Sequence, residues 1–99
     1  MVTIRWTPQA INDLESIFQY ISHDSRPTAK LFVEKIYYLI DQLQHFPLSG
    51  RHVPEVDKED IRELIYKNYR IVYQVINESN IRILTIFRSS KNLDDTKLP

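Results

Sequence analysis

The spacing of apolar residues changes once along this 99-residue chain, near residue 47, and this change constrains the fold more than any other feature. Before it, apolar residues recur every three or four positions, as on one face of a helix. After it, they alternate with polar residues, as in strands. A short opening segment, residues 2–6, also alternates. The pattern therefore predicts one strand, then two helices, then three strands.

Both predicted helices lie before Pro47. The first begins at Pro8, with Thr7 as its N-cap, and ends in the polar run 22–25. The second begins near Pro27 and ends before Pro47, because proline cannot continue a helix. A connector of about four residues predicts that the two helices form an antiparallel hairpin.

The second half of the chain predicts an antiparallel meander of three strands after a loop over 48–60, with strands at about 61–66, 69–76 and 81–88. The fold class is therefore α+β, in the order β-α-α-β-β-β, with the helical hairpin on one face of a small, mainly antiparallel sheet. We expect the other sheet face to be open, since no element remains to cover it. One domain is predicted over residues 1–93, followed by a polar tail over 94–99.

Composition excludes several classes of function. Thirteen basic residues balance thirteen acidic ones, so bulk charge does not drive binding to nucleic acid. The chain has no cysteine, which excludes disulfides and thiolate chemistry, and its three histidines share no helix face at ligand spacing. No metal site and no cofactor are predicted. No apolar run approaches the length of a membrane helix, so we expect a cytoplasmic protein without membrane contact.

Charge is distributed unevenly along this neutral chain. Residues 61–93 carry six basic and two acidic groups, which makes the strand region positive. Strict alternation places Arg70, Arg82 and Arg88 on the sheet face away from the helices, and Arg62 has the parity to join them. Such a face can hold phosphates or acidic side chains. The alternative is a solvated face that arginine stems simply cover.

A set of short motifs occurs in order over about residues 4–93. The motifs are Trp6-Thr7-Pro8-Gln9-Ala10, Asp13-Leu14, Tyr20-Ile21, Pro47 with Gly50-Arg51, Val53-Pro54-Glu55, Ile61-Arg62-Glu63-Leu64, Tyr69-Arg70-Ile71-Val72-Tyr73, Ile81-Arg82-Ile83-Leu84 and Asn92-Leu93. With them the chain resembles the RelE/ParE superfamily of bacterial toxins from type II toxin–antitoxin systems, and its ParE branch most of all. The resemblance implies the same β-α-α-β-β-β fold that the periodicity predicts.

The resemblance also implies a growth-inhibiting toxin, of the kind used in plasmid stabilisation, that an antitoxin encoded beside it neutralises. ParE-like toxins bind and inhibit DNA gyrase without catalysis of their own. We expect target contacts at the arginines of the loop and strands: Arg51, Arg62, Arg70, Arg82 and Arg88. We expect the antitoxin to contact apolar residues of the second helix and the sheet: Phe32, Ile36, Leu39, Val72 and Leu84. A homodimer or a 2:2 complex with the antitoxin is compatible with such a pair.

The RelE branch supplies the alternative, which is cleavage of mRNA on translating ribosomes. That reaction needs a base for the 2′-hydroxyl, cations for the transition state and an acid for the leaving oxygen. By resemblance, Glu55 aligns with the base, Arg62 lies near a phosphate-binding arginine, and Arg70 and Arg88 would add positive charge. No tyrosine or histidine follows Tyr73 to act as the acid. This departure favours the non-catalytic branch.

Overall fold

The structure is a computed structural model that describes residues 1–90, 93 and 98–99. Its elements are β1 Thr3–Trp6, α1 Pro8–Asp24, α2 Arg26–Asp41, a 3-10 turn Gln42–Gln44, β2 Arg51–His52, β3 Ile61–Tyr66, β4 Tyr69–Asn77 and β5 Asn80–Arg88. The sheet order is β1-β5-β4-β3-β2, with β1 parallel to β5 and the other pairs antiparallel. The predicted class and order of elements are confirmed, with one additional short strand, β2, inside the segment predicted as a loop. Residues 94–97, most of the predicted tail, lie outside the described residues.

The helical hairpin is tighter than the sequence predicts. Thr7 caps α1 as predicted, since its hydroxyl accepts from Ala10 N at 3.0 Å and donates to Leu84 O at 2.7 Å. A single residue, Ser25, joins the helices where about four were predicted. Its N–H donates to a carbonyl at the end of α1, and its hydroxyl oxygen accepts from Thr28 N at the start of α2. One extended residue therefore ends one helix and begins the next. Among the described residues, neither helix has the length and apolarity needed to span a bilayer.

The main core lies between the hairpin and one sheet face. Its buried members are Ala10, Leu14, Phe32, Ile36, Ile40, Leu43, Tyr69, Ile71, Tyr73, Ile81, Ile83 and Ile86. Burial of such side chains is the principal favourable term in folding, at about 1.5–3 kcal/mol for each large one before entropy is subtracted. Asp13 of α1 accepts hydrogen bonds from Thr85 Oγ1 and Ile86 N, which fixes this helix over β5.

A β-bulge in β5 changes which side chains share a sheet face. The register between β4 and β5 shifts between Val72 and Tyr73, which leaves Leu84 without a partner on β4. Because a bulge adds one residue to a strand, each side chain beyond it lies on the opposite sheet face from the one that strict alternation predicts. Arg88, which pairs with Tyr69 of the main core, therefore lies on the helix side of the sheet. Strict alternation placed it on the opposite face.

The second sheet face is covered, so the expectation of an open face is wrong. Val53 and Val56 of the loop after β2 pack there together with Leu93 and Leu98. The sheet side of this second core consists of Ile61, Val72, Leu84 and Phe87. Neither loop valine belongs to a helical or strand repeat. The periodicity of the sequence therefore did not predict that this loop packs on the second sheet face.

The corner between α2 and β2 depends on the chain's one glycine. The buried Tyr73 hydroxyl accepts from Gly50 N and donates to Pro47 O, both at 2.9 Å. Burial raises the pKa of Tyr73, so this hydroxyl keeps its proton. A Cβ on Gly50 would lie 2.6 Å from the Tyr73 hydroxyl and 2.7 Å from the Glu63 carbonyl oxygen. Only glycine allows this close approach without a shift of the backbone.

Candidate functional site

The five arginines predicted to bind a target lie on both faces of the sheet. Arg51, Arg70 and Arg82 lie on the face away from the helices, as their cross-strand pairs require. Arg62 and Arg88 lie on the helix face, because each pairs with a tyrosine of the main core. The predicted single positive face is therefore wrong. Alternation within one strand does not determine how that strand is aligned with its neighbour. In addition, the bulge in β5 moves the side chains beyond it to the opposite sheet face.

Arg70 is buried in a network of ion pairs, which we call the Arg70 network. Its guanidinium binds both carboxylate oxygens of Glu55, at 2.6 and 2.8 Å, and its Nε donates to Glu63 at 2.6 Å. Arg51 binds the other oxygen of Glu63, whose side chain is wholly buried, at 2.7 Å. The guanidinium also lies over the Phe87 ring, 5.1 Å from its centroid. Among the described residues this network contains two cations and two anions, and Arg70 is 5% exposed, so Arg70 is a packed structural residue.

The ion pair between Arg70 and Glu55 holds both of these groups in the charged state. Hydrogen bonding from Arg70 lowers the pKa of Glu55 from 4.5 to about 2. Leu93 N donates a further bond to this carboxylate at 3.0 Å. Hydrogen bonding to Glu55 in turn raises the pKa of Arg70. A carboxylate that binds protons so weakly is a poor general base near neutral pH.

The four residues of the ribonuclease alternative do not converge. Glu55 and Arg70 are paired on one sheet face, whereas Arg62 lies on the other and donates to two loop carbonyls at 2.7 and 3.0 Å. Arg62 and Arg88 pair with the fifth and first residues of β4, which separates them by about 13 Å along the strand. No group of three His, Asp or Glu side chains in the described part of the chain is placed to hold a metal ion.

A cleft of about 280 Å³ separates α1 from the end of β5, and we call it the Arg88 cleft. It is lined by Asp13, Ser16, Ile17, Tyr20, Tyr69, Ile86, Phe87 and Arg88. The exposed guanidinium of Arg88 lies over the Tyr20 ring, 5.2 Å from its centroid, and donates to the Tyr20 hydroxyl at 3.3 Å. Hydrogen bonding with Tyr69, then interaction with Tyr20, raises the pKa of Arg88. The cleft thus offers a permanent cation that lies over the Tyr20 ring and is hydrogen-bonded to Tyr69.

The electrostatics of the Arg88 cleft are dominated by that cation. Within residues 1–90, 93 and 98–99, no carboxylate forms an ion pair with Arg88. The one acidic side chain among the described lining residues, Asp13, is already engaged by Gln9, Thr85 and Ile86. An acidic group of a partner can therefore bind Arg88 without displacing an internal carboxylate.

An apolar groove of about 730 Å³ lies on the opposite flank of α1, beside the edge strand β1, and we call it the β1 groove. Its lining residues are Arg5, Trp6, Ile11, Leu14, Glu15, Phe18, Val33 and Tyr37. Trp6 packs on Tyr37 with ring centroids 5.4 Å apart. Ile11 and Tyr37 are 52% and 49% exposed, which is unusual for large apolar side chains placed side by side.

Four of the five predicted antitoxin contacts are buried inside the protein. Phe32 and Ile36 are buried in the main core, and Val72 and Leu84 are buried in the second core. Leu39 is half-buried against the main core. None of the four buried side chains is available to a partner, because the apolar stripe chosen in α2 is the one that faces the sheet. The neighbouring flank of α2 lines the β1 groove.

Two helices on one face of a five-stranded sheet, with this order of elements, form the fold that the resemblance to RelE/ParE toxins predicts. A family model described as "ParE toxin of type II toxin-antitoxin system, parDE" matches residues 4–93. The chain is 34% identical over 88 residues to "Putative toxin Y4kP" of Sinorhizobium fredii, which covers 87% of this chain and 86% of that protein. This chain belongs to the ParE toxin family of type II toxin–antitoxin systems.

A solved structure supports the same assignment. The fold is similar to a chain from the "Chromosomal ParDE TA system from P. aeruginosa", with a TM-score of 0.71 and 25% sequence identity. The match covers 89% of this chain and 96% of that one. The resemblance identified from the ordered motifs is confirmed, and membership of the family implies an antitoxin partner.

Proposed function

We propose that this ParE-family toxin arrests growth in the cytoplasm by binding DNA gyrase through the Arg88 cleft, without itself breaking a bond. The observation that carries this proposal is the placement of Arg88, an exposed cation oriented by Tyr20 and Tyr69 and free of an internal carboxylate partner within the described residues. Arginine and tyrosine, together with tryptophan, are enriched among the residues that contribute most to binding energy at protein interfaces. A preorganised pair of them loses little entropy when a partner binds.

The geometry favours contact over catalysis. The RelE-like alternative needs a free base close to cations that bind the scissile phosphate. Glu55 is instead bound on both oxygens by Arg70, and Arg62 and Arg88 lie apart on the other sheet face. Cleavage at such a site would require the Arg70 network to open first.

Inhibition of purified gyrase tests the target and the site together. We expect the wild-type toxin to inhibit supercoiling and, when induced alone, to cause an SOS response with trapped gyrase–DNA complexes. Arg88→Gln should weaken inhibition by about tenfold or more, as at an interface hot spot. Arg26→Gln is the matched control, since Arg26 is exposed at the start of α2 and should leave inhibition unchanged. Cleaved mRNA with normal supercoiling would contradict the proposal and support the ribonuclease alternative.

We also propose that the cognate antitoxin neutralises the toxin by placing an apolar segment in the β1 groove. The partner follows from the family, and the groove follows from the exposed apolar side chains between two helices and an edge strand. Amphipathic segments bind such grooves through a few apolar anchors.

Copurification with the product of the adjacent reading frame tests this placement. Ile11→Asp puts a charge in the groove and should weaken the complex by about 100-fold, as for a buried unpaired charge at an interface. Leu31→Asp is the control, because Leu31 is 66% exposed on α2 and does not line the groove. Equal affinity of the two variants would place the antitoxin elsewhere. The mass of the wild-type complex distinguishes a 2:2 assembly from other stoichiometries.

A further inference from the structure

We infer that Lys67, at the tip of the hairpin between β3 and β4, is a second target-binding cation, and that Lys67 and Arg88 together bind an acidic segment of the target. The inference rests on the proposed binding of gyrase through the Arg88 cleft and extends that site by one residue. Lys67 was not among the predicted target contacts, because it lies in a turn and not on a strand face.

The backbone of Lys67 has a conformation that lysine adopts only at a cost. Tyr66 and Tyr69 pair directly, so Lys67 and Asn68 form a two-residue turn. The φ angle of Lys67 is 52°, and within residues 1–90, 93 and 98–99 no other non-glycine residue has a positive φ. Glycine adopts this region freely and asparagine tolerates it, whereas the Cβ of lysine is crowded there. Glycine would therefore suit this backbone better. Strained backbone of this kind is concentrated at functional sites.

The ammonium of Lys67 lies beside the helix face of the sheet, on which Arg88 also lies. Its Nζ is 5.7 Å from the centroid of the Tyr66 ring, and that ring packs against Phe32 of the main core. Tyr66 pairs with Tyr69, which pairs with Arg88, so the three form one row across adjacent strands. With about 4.8 Å between strands, the backbones of Tyr66 and Arg88 lie about 10 Å apart. A cation therefore lies at each end of the row, one on each side of the buried Tyr69.

A hydrogen bond joins the hairpin tip to the end of β5. Ser89 N donates to Asn68 O at 2.7 Å, which connects the turn to the residue directly after Arg88. Arg88 itself lies over the Tyr20 ring and donates to its hydroxyl. The spacing of the two cations along the sheet is therefore set largely before a partner binds, and little entropy is lost in establishing it.

The chemistry that fits this pair is a protein segment with carboxylates a few residues apart. On an extended segment, side chains two positions apart share a face and lie about 7 Å from each other, a distance that two long cationic side chains can match. The Arg88 cleft beside the pair is also lined by apolar side chains, among them Ile17 and Phe87. A protein segment can supply apolar side chains to this cleft, whereas the backbone of a nucleic acid cannot.

Inhibition of purified gyrase and thermal unfolding of the free toxin together test Lys67. Lys67→Gly relieves the backbone and should raise Tm by about 2–5 °C. The same variant should weaken inhibition of supercoiling by about fivefold, and by less at high salt. Lys67→Arg keeps the charge and should inhibit as the wild type does. Lys58→Gln is the control for loss of one positive charge, since Lys58 is exposed in the loop before β3, and it should leave inhibition unchanged. A lysine that served only the fold would not combine weaker inhibition with higher stability on its removal.

The other outcomes separate this inference from the proposed function. If Arg88→Gln weakens inhibition and Lys67→Gly does not, only the role of Lys67 is wrong. If Arg88→Gln inhibits as the wild type does, the Arg88 cleft is not the target site, and the inference falls with it. A lower Tm in Lys67→Gly would assign its weaker inhibition to the fold and overturn the inference. Weak inhibition by Lys67→Arg would show that the charge is not what binds, with the same consequence. Binding of a short DNA duplex by the free toxin that Lys67→Gly abolishes would assign Lys67 to nucleic acid and also overturn it.

Discussion

Arg70 and Arg88 are two arginines at the same end of the sheet that differ in sheet face, in burial and in their charged partners. Arg70 and Arg88 lie on adjacent, paired strands but on opposite faces. Arg70 is 5% exposed and neutralised by Glu55 and Glu63, whereas Arg88 is exposed and lies over Tyr20. The first connects a loop to the sheet, and the second is available to a partner. Burial and pairing, and not the charge itself, separate a structural arginine from a candidate binding residue.

Removal of Arg70 should have the largest effect on stability. Arg70→Met leaves the buried Glu63 with Arg51 alone and leaves Glu55 without its cation, so the free energy of unfolding should fall by about 3–5 kcal/mol. Urea unfolding followed by circular dichroism measures this fall. Arg26→Met, at an exposed position, should change it by less than about 0.5 kcal/mol. Equal effects of the two variants would show that the Arg70 network is not structural.

Most of the fold was predictable because helical and strand repeats are local properties of the sequence. The Thr7 cap, the helix start at Pro8 and the bounds of β3 all follow from neighbouring residues. The bulge was not predictable, because the extra residue Leu84 is defined only by the register of β5 against β4. Likewise, the packing of loop valines on the second sheet face was not predictable, because these valines belong to no helical or strand repeat.

The candidate sites were less predictable, since each joins residues that are distant in the chain. Tyr20 lies 68 positions from Arg88. The basic strands drew attention to Arg82 and Arg88, but nothing local indicated their neighbours. One available signal was the breadth of the apolar stripe in α2, whose extra member Tyr37 lines the β1 groove.

The chain bends at Gly50 between α2 and β2, and Gly50→Ala tests whether this bend stabilises the fold. The added Cβ meets the Tyr73 ring and the Glu63 backbone at under 3 Å, so the backbone that accepts hydrogen bonds from Arg62 must shift. We expect the free energy of unfolding to fall by about 1–3 kcal/mol, as in other overpacked sites. Thermal unfolding measures the change, with Ser49→Ala at the exposed neighbouring position as the control. An unchanged free energy of unfolding in Gly50→Ala would show that the backbone here can shift to accommodate the added Cβ at no cost.

Acid should lower the stability of the protein, because protonation of Glu55 removes its ion pair with Arg70 on the sheet face that the loop covers. Its pKa is about 2 in the folded protein and near 4.5 when unfolded, so the unfolded chain binds protons first as pH falls. The stabilisation is complete above about pH 5 and is lost progressively toward pH 2. After allowance for solvent screening we expect a loss of about 1–2 kcal/mol. Chemical unfolding at several pH values measures it, and Glu55→Gln should flatten the profile over this range. An unchanged slope in Glu55→Gln would assign the acid sensitivity to other carboxylates.

Arg88→Gln should have the smallest effect on stability, although it is expected to weaken gyrase inhibition most. An exposed cation stacked on tyrosine contributes little to the stability of the fold, because water replaces most of what is lost. Thermal unfolding of Arg88→Gln beside the wild type measures this contribution, and Tyr20→Phe separates the hydroxyl from the ring. A fall in Tm as large as that of Arg70→Met would make Arg88 a structural residue like Arg70 and remove the distinction between the two faces. A small loss of stability would mean that weaker gyrase inhibition by Arg88→Gln reports a lost contact with the target and not a loss of folded protein.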